Sequence, residues 1–134
     1  MRRPARNCAL LCALALLAAV PLTASASGST AGGPRAQAAH ACHLSAYRQR
    51  HLGATYTYKL RVSGTRCRNA PKVIKAYNHC RHVQGGRDGR CYHRIYNYRC
   101  GEHRYNKLAG VSYDAHVRCR KSGREIAWYY TQNL

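Results

Sequence analysis

The sequence predicts a small α+β domain in which one helix packs on a four-stranded, mainly antiparallel sheet, in the order β-α-β-β-β, stapled by disulfides. One stretch carries apolar residues at helical spacing, and four shorter stretches fit strands, most of them by alternation of apolar and polar residues. The cysteine count is even once a leader is removed, which is typical of a disulfide framework. A chain of 134 residues is long enough for one such domain.

Residues 1–26 have the features of a secretory signal peptide. They begin with basic residues, continue with a short apolar run and end in a small-residue cleavage motif. The apolar run is shorter than the ~20 residues that a membrane span needs, so we expect no transmembrane segment in the mature chain. Cleavage can follow Ala26 or Ala38. Residues 27–41 are then a disordered lead-in, and residues 42–134 form a single secreted, extracellular basic domain.

The charge of the mature chain is strongly positive. Removal of residues 1–26 takes away three arginines and leaves 20 Lys and Arg against four acids, a net charge of +16. Charge of this size opposes compaction of the chain and attracts anionic partners. The composition therefore indicates binding to an anionic surface or polymer, such as the cell envelope or a nucleic acid. A solvated basic surface without a specific partner is the alternative.

Six cysteines remain after the leader, and we expect three disulfides. The predicted topology pairs Cys67 with Cys100, Cys80 with Cys91, and Cys42 with Cys119, which is one of fifteen possible pairings. Five residues have side chains of the types that bind zinc: His79, Cys80, His82, Cys91 and His93. Because a disulfide would consume both of its cysteines, we predict no metal site, no cofactor and no nucleophilic cysteine.

The segment Asn69–His82 is predicted to be the helix, with Asn69 as its N-cap and Pro71 in its first turn. Its apolar stripe consists of Ala70, Val73, Ile74, Tyr77 and Cys80. The opposite side carries Arg68, Lys72, Lys75, His79 and His82, which we name the helix ridge. The following loop would continue it with Arg81, Arg87 and Arg90. These eight residues are the predicted polyanion-binding site, and binding should strengthen below about pH 6.5, where histidine charges. An ordinary solvent-exposed face is the alternative.

The predicted strands are Thr55–Val62, Tyr92–Cys100, Tyr113–Arg120 and Glu125–Thr131. Alternation places five tyrosines on inward faces: Tyr56, Tyr58, Tyr96, Tyr98 and Tyr130. Three others, Tyr92, Tyr105 and Tyr129, are candidates for exposure. On the third strand the outward residues are Asp114, His116, Arg118 and Arg120.

The last two strands form a hairpin whose register can be predicted. If Lys121 lies opposite Arg124, every inward apolar residue meets an apolar partner and, on the outer face, Arg120 meets Glu125. The inward pairs are Cys119–Ile126, Val117–Trp128 and Ala115–Tyr130. A slip by one residue would destroy all of these pairs.

Four segments support a resemblance to known proteins: Leu60–Cys67, Tyr96–Cys100, Tyr113–Cys119 and the pair Thr131-Gln132. With these segments the chain resembles an uncharacterised group of short, secreted, cysteine-containing proteins of high-GC Gram-positive bacteria. The resemblance extends over most of the mature chain. It implies a secreted α+β domain, with Cys80 and Cys91 as an optional addition, and it implies no functional residue.

These observations predict a non-catalytic basic module that binds an anionic surface or polymer. A secreted ribonuclease is the first alternative, with acid and base groups from His103 beside Glu102, or from His116. A small disulfide-bridged protein inhibitor is the second. A hydrolase with paired carboxylates is disfavoured, because nothing brings two of the four acids together.

Overall fold

One antiparallel sheet of five strands and one long helix build the domain. The structure is a computed structural model that describes residues 37–134, all of which belong to one compact unit. The strands are β1 (His40–Ala41), β2 (Tyr56–Ser63), β3 (Arg99–Leu108), β4 (Ser112–Lys121) and β5 (Arg124–Asn133). The helices are α1 (Ala46–Arg50) and α2 (Ala70–Gly85). The strands lie side by side in the order β1-β2-β5-β4-β3.

The predicted α+β class, the antiparallel sheet and the single main helix are confirmed. The strand count is five rather than four, because β1 and the short helix α1 precede the first predicted strand. β1 lies inside the predicted lead-in, where His40 pairs with Val62 of β2. The predicted signal peptide and the cleavage site after Ala26 lie outside the described residues.

Helix α2 buries the apolar stripe that its spacing predicts. Ala70, Ile74 and Tyr77 are buried, and the Tyr77 ring meets Trp128 of the sheet edge-on, with ring centroids 5.5 Å apart. The helix begins where predicted but runs three residues beyond His82. α2 therefore covers one face of the sheet, and the core lies between them.

The hairpin of β4 and β5 has the predicted register at every pair. Lys121 lies opposite Arg124, and the turn between them places Ser122 and Gly123 at positive φ, as a two-residue hairpin turn requires. On the outer face the Arg120 Nε donates to a Glu125 carboxylate oxygen at 2.7 Å. Local alternation and turn chemistry were sufficient to predict this unit.

The predicted strand Tyr92–Cys100 is wrong. Ile95 and Tyr98 instead close a tight turn by exchanging two backbone hydrogen bonds of 3.0 and 2.8 Å. The two residues between them, Tyr96 and Asn97, have φ angles of 49° and 66°. Tyr98 is buried as predicted, but Tyr96 is exposed, because the turn ends the alternation.

The strand that does pair with β4 is β3, and most of it falls in the segment predicted to be a loop. Its inward residues include Glu102 and Arg104, which form a buried ion pair with each other. An inner face made of a carboxylate and a guanidinium lacks the apolar alternation by which strands are predicted.

A bulge in β2 reverses the faces predicted for its tyrosines. Lys59 has a φ of 49°, and the pairing with β5 shifts register between Tyr58 and Arg61. Thr57 is therefore fully buried, while Tyr56 and Tyr58 lie on the outer face. The inward placement predicted for both tyrosines is wrong.

Three disulfides form, linking Cys42 to Cys67, Cys80 to Cys91, and Cys100 to Cys119. The Cys80–Cys91 prediction is confirmed, and the pairings Cys67–Cys100 and Cys42–Cys119 are wrong. Because β3 begins at residue 99, Cys100 lies directly opposite Cys119 on the neighbouring strand. Cys42 lies beside β2, where its backbone N–H donates to Leu60, and so reaches the cysteine that follows that strand.

Candidate functional site

The face of the sheet opposite α2 is rich in exposed basic and aromatic side chains. We name it the sheet face and define it by the outward residues of β2, β5, β4 and β3. The strand register arranges them in rows across the strands. One row is Tyr58, Tyr129, His116 and His103, which we name the aromatic row. The next is Arg61, Ala127, Arg118 and Gly101, which we name the basic row.

Rings of the aromatic row contact one another. The Tyr129 ring stacks on His116 with centroids 4.4 Å apart and on Tyr58 with centroids 6.0 Å apart. His103 leans along its own strand and stacks with Tyr105 at 6.3 Å. Burial raises the pKa of the Tyr105 hydroxyl above its usual range. Stacked rings of the row therefore run across β2, β5 and β4, and His103 with Tyr105 adds a second stacked pair on β3.

Two shallow depressions interrupt the basic row, because Ala127 and Gly101 are its small members. The first, of about 230 Å³, lies over Ala127 and is bounded by Tyr129 and Arg61. The second, of about 510 Å³, lies over Gly101 and is bounded by His103 on one side. Arg118 and His116 border both depressions. The sheet face thus offers two adjacent hollows, each with an aromatic wall and a guanidinium.

Cations outnumber acids on the sheet face. The five cations are Lys59, Arg61, Arg99, Arg118 and Arg120, and the two carboxylates are Asp114 and Glu125. Glu125 is shared between Arg120 at 2.7 Å and Arg118 at 3.4 Å. Asp114 accepts hydrogen bonds from Thr131 and Asn106. The remaining positive charge is available to anions from solvent.

Two histidines lie directly opposite each other on this face. His103 of β3 pairs with His116 of β4, and such partners have Cβ atoms roughly 4.5–5.5 Å apart. Burial and, next, the charge of Arg118 lower the pKa of His116 below its usual range. The sequence placed Glu102 beside His103, but Glu102 points to the opposite face, so that predicted partnership is wrong.

Glu102 belongs to a buried polar network between the sheet and α2. Its side chain is 2% exposed and accepts hydrogen bonds from the hydroxyls of Tyr77 at 2.6 Å and Tyr130 at 2.9 Å, and from Arg104 Nε. Burial is the main cause that raises the pKa of both tyrosines well above the usual range. These bonds join the helix to β3 and β5.

Arg81 is part of the same interior and not of the surface, so its predicted role in polyanion binding is wrong. It is fully buried and donates to Asn78 at 3.1 Å, to Gln132 at 3.0 Å and to the Tyr113 hydroxyl. Its guanidinium also lies 4.6 Å from the centroid of the Tyr130 ring. All of its bonds go to protein groups, which leaves it no role toward a polymer in solvent.

The helix ridge has the exposure that its spacing predicts. Its five residues are exposed, as is Arg87, while Arg90 is half-buried and donates to the backbone of Glu102 at 3.5 Å. Within residues 37–134 none of the ridge residues forms an ion pair. Burial first, and then Arg81, Arg87 and His79, lower the pKa of His82. The ridge is therefore a second basic surface, to which His82 adds less positive charge than an ordinary histidine would at the same pH.

In the part of the chain that the structure describes, one group of three potential metal ligands comes together: His40, Cys42 and Cys67. The two cysteines are bonded to each other, so neither offers a thiolate. The disulfide between Cys80 and Cys91 likewise occupies two of the ligands weighed from the sequence. None of the helices in residues 37–134 combines the length and apolar character that crossing a membrane demands.

Comparison with protein-family models, with curated proteins and with solved structures finds no match for this chain. The resemblance to secreted proteins of Gram-positive bacteria stays a prediction.

The sheet face was not predicted from the sequence, although the predicted hairpin contains part of it. The predicted hairpin register already placed His116 beside Tyr129 and Arg118 beside Ala127. Because β3 was misplaced and Tyr58 was assigned inward, these pairs did not extend into a surface. The signal that could have identified the sheet face is the outward pair of His116 and Tyr129 next to Arg118 in the predicted hairpin.

Proposed function

We propose that this protein is a secreted, non-catalytic module that binds an anionic polymer through the sheet face. The observation that carries the proposal is the basic row beside the aromatic row, with Arg118 at the border of both depressions. Guanidinium groups bind phosphate and carboxylate oxygens by paired hydrogen bonds. Three disulfides in a small basic domain are compatible with folding and action in an oxidising extracellular compartment.

The helix ridge is the competing surface, and two matched pairs of substitutions separate them. Arg61→Gln with Arg118→Gln removes two charges from the sheet face, and Lys72→Gln with Lys75→Gln removes two from the ridge. Both variants have the same net charge, so they differ only in where the charge was lost. All four side chains are exposed, and we expect both variants to fold.

Binding of the oxidised protein and both variants to inorganic polyphosphate is measured by calorimetry over a salt series. We expect the sheet-face variant to lose at least about tenfold in affinity and the ridge variant to lose clearly less, since hydrogen bonds to charged groups are worth ~1.5–3 kcal/mol each. Equal losses would indicate generic charge, and a larger loss in the ridge variant would move the site to α2. Absence of salt-dependent binding by the native protein would refute the proposal.

A ribonuclease is the second candidate function, and the facing His103 and His116 favour it. RNA cleavage needs a base that removes the 2′-hydroxyl proton and an acid that protonates the leaving 5′-oxygen. The 2′-oxygen would attack phosphorus as the P–O5′ bond breaks, giving a 2′,3′-cyclic phosphate and a free 5′-hydroxyl. His116, with its lowered pKa, suits the base, His103 the acid, and Arg118 the charged transition state.

This candidate is tested with RNA and with DNA of the same sequence, which lacks the 2′-hydroxyl. Cleavage of RNA alone, lost in both His103→Ala and His116→Ala, would establish it. His79→Ala on the helix ridge is the matched control and should retain activity. Intact RNA after prolonged incubation with the native protein would eliminate the ribonuclease and leave the binding module.

A further inference from the structure

We infer that the anionic polymer bound by the sheet face is a single-stranded nucleic acid, whose bases contact the aromatic row while its phosphates contact the basic row. The inference rests on the proposed function and names its ligand class. Its basis is that two rows of different chemistry lie side by side on one face, as a strand with planar bases and a charged backbone requires.

A polymer that carries negative charge but no aromatic groups would not use the aromatic row. Polyphosphate would use arginines and lysines and gain nothing from π surface. Tyr58, Tyr129 and His116 are half-buried without entering the core, and none is needed to cover the interior, which α2 closes on the other side. Lys59 adds a cation 5.6 Å from the Tyr129 ring centroid. Interleaved aromatic and cationic side chains are the composition of single-strand binding surfaces.

The two depressions explain why a linear strand fits better than an isolated anion. They lie over Ala127 of β5 and Gly101 of β3, with one strand between them, so their centres are roughly 10 Å apart at the usual strand spacing. Arg118 stands between them and can contact the linkage that joins their occupants. A ligand that follows both hollows along the basic row must therefore be an extended anionic chain, as a sugar-phosphate backbone is, rather than a single small anion.

Single strands are favoured over a duplex by the shape of the surface. The aromatic row lies on the face of a sheet beside the two hollows, and not on a projecting helix or ribbon of the kind that enters a duplex groove. In a duplex the base faces are stacked on one another and cannot reach Tyr129 or His116. In a single strand they are free to stack on protein rings.

The experiment compares ligands of equal charge with and without bases. Fluorescence anisotropy measures the affinity of the oxidised protein for a labelled oligothymidine and for an abasic strand of the same length. We expect the native protein to prefer oligothymidine by about 5- to 150-fold, the range for one stacked base. Tyr129→Ala should abolish most of this preference, because it should weaken the binding of oligothymidine far more than that of the abasic strand. Tyr129→Phe should retain it, and Tyr92→Ala, at a tyrosine that is 80% exposed outside the sheet face, should have no effect.

Each other outcome has a distinct meaning. Equal affinity for both strands would overturn the inference while the proposed binding of anionic polymers stands. Duplex DNA that binds more tightly than oligothymidine would also overturn the inference in favour of the duplex. An acidic polysaccharide such as heparin that binds more tightly than oligothymidine, and does so through Tyr129, would overturn it in favour of the polysaccharide. Absence of binding to every anionic polymer would refute the proposed function together with the inference. Circular dichroism of each variant establishes that it is folded before its affinity is interpreted.

Discussion

Replacing Glu102 by Gln should be among the most destabilising isosteric changes in this domain. The substitution keeps the shape of the side chain and removes its charge beside Arg104. One carboxylate oxygen accepts from Arg104 and the other from the hydroxyls of Tyr77 at 2.6 Å and Tyr130 at 2.9 Å. A glutamine has a single oxygen, so its amide N–H groups must face either Arg104, which cannot accept a hydrogen bond, or the two hydroxyls, which must then stop donating and accept instead.

The size of the effect follows from burial. The side chains of Glu102 and Arg104 are 2% and 5% exposed, so solvent does not compensate for the lost charge. Removing one partner of a buried ion pair costs about 3–5 kcal/mol, a large part of the ~5–15 kcal/mol that a domain has in total. The melting temperature should fall by at least about 12 °C for a domain of this size.

Glu125→Gln is the matched control, because Glu125 also pairs with an arginine of the neighbouring strand but is 29% exposed. We expect it to cost no more than about 1 kcal/mol. Urea unfolding of both oxidised variants, followed by circular dichroism, measures the difference in unfolding free energy. Similar unfolding midpoints for the two variants would show that the charge of Glu102 does not hold α2 to the sheet.

Three further results are expected. Burial raises the pKa of Tyr77 and Tyr130 in the folded state, so the unfolded state loses their protons first. The unfolding free energy should therefore fall as pH rises above about 10. An unfolding free energy that is independent of pH up to 12 would contradict this. A peptide map without reduction should link Cys100 to Cys119, and a link from either to any other cysteine would refute the observed strand pairing. The affinity for polyanions should rise as pH falls, and the part of that rise that is lost in His82→Gln is the contribution of His82. Because the pKa of His82 is lowered, this contribution should appear only below pH 6.5. A contribution that is already complete at pH 7 would be inconsistent with the lowered pKa.

Sequence reasoning predicted the elements whose buried residues are apolar. The stripe of α2 and the hairpin of β4 and β5 follow from spacing, because most of their buried positions carry aliphatic, aromatic or cysteine side chains; Asn78, Arg81 and Gln132 are the buried polar residues of these elements. The link between Cys80 and Cys91 closes a short local loop and was equally accessible. Of the predicted binding residues, the exposure of the helix ridge followed from the same spacing, while the burial of Arg81 did not.

β3 could not be predicted in this way because its inner face is polar. Glu102 and Arg104 are stable in the interior only because they satisfy each other and the hydroxyls of α2 and β5. The two hydroxyls that bond Glu102 come from Tyr77 and Tyr130, which are 25 and 28 residues away in the sequence. Because β3 lies mostly in a segment predicted to be a loop, neither the bond between Cys100 and Cys119 nor the position of His103 opposite His116 was predicted.

The sequence by itself determined the class of fold, the long helix, the register of the last hairpin and the excess of positive charge, since each depends on local spacing or composition. Only the tertiary structure decided which charges are exposed and which tyrosines share a face. The bulge at Lys59 places Tyr58 on the outer face of the sheet. The buried ion pair of Glu102 and Arg104 allows β3, whose inner face is polar, to pair with β4. Because of this bulge and this strand pairing, Tyr58, Tyr129, His116 and His103 lie side by side in the aromatic row.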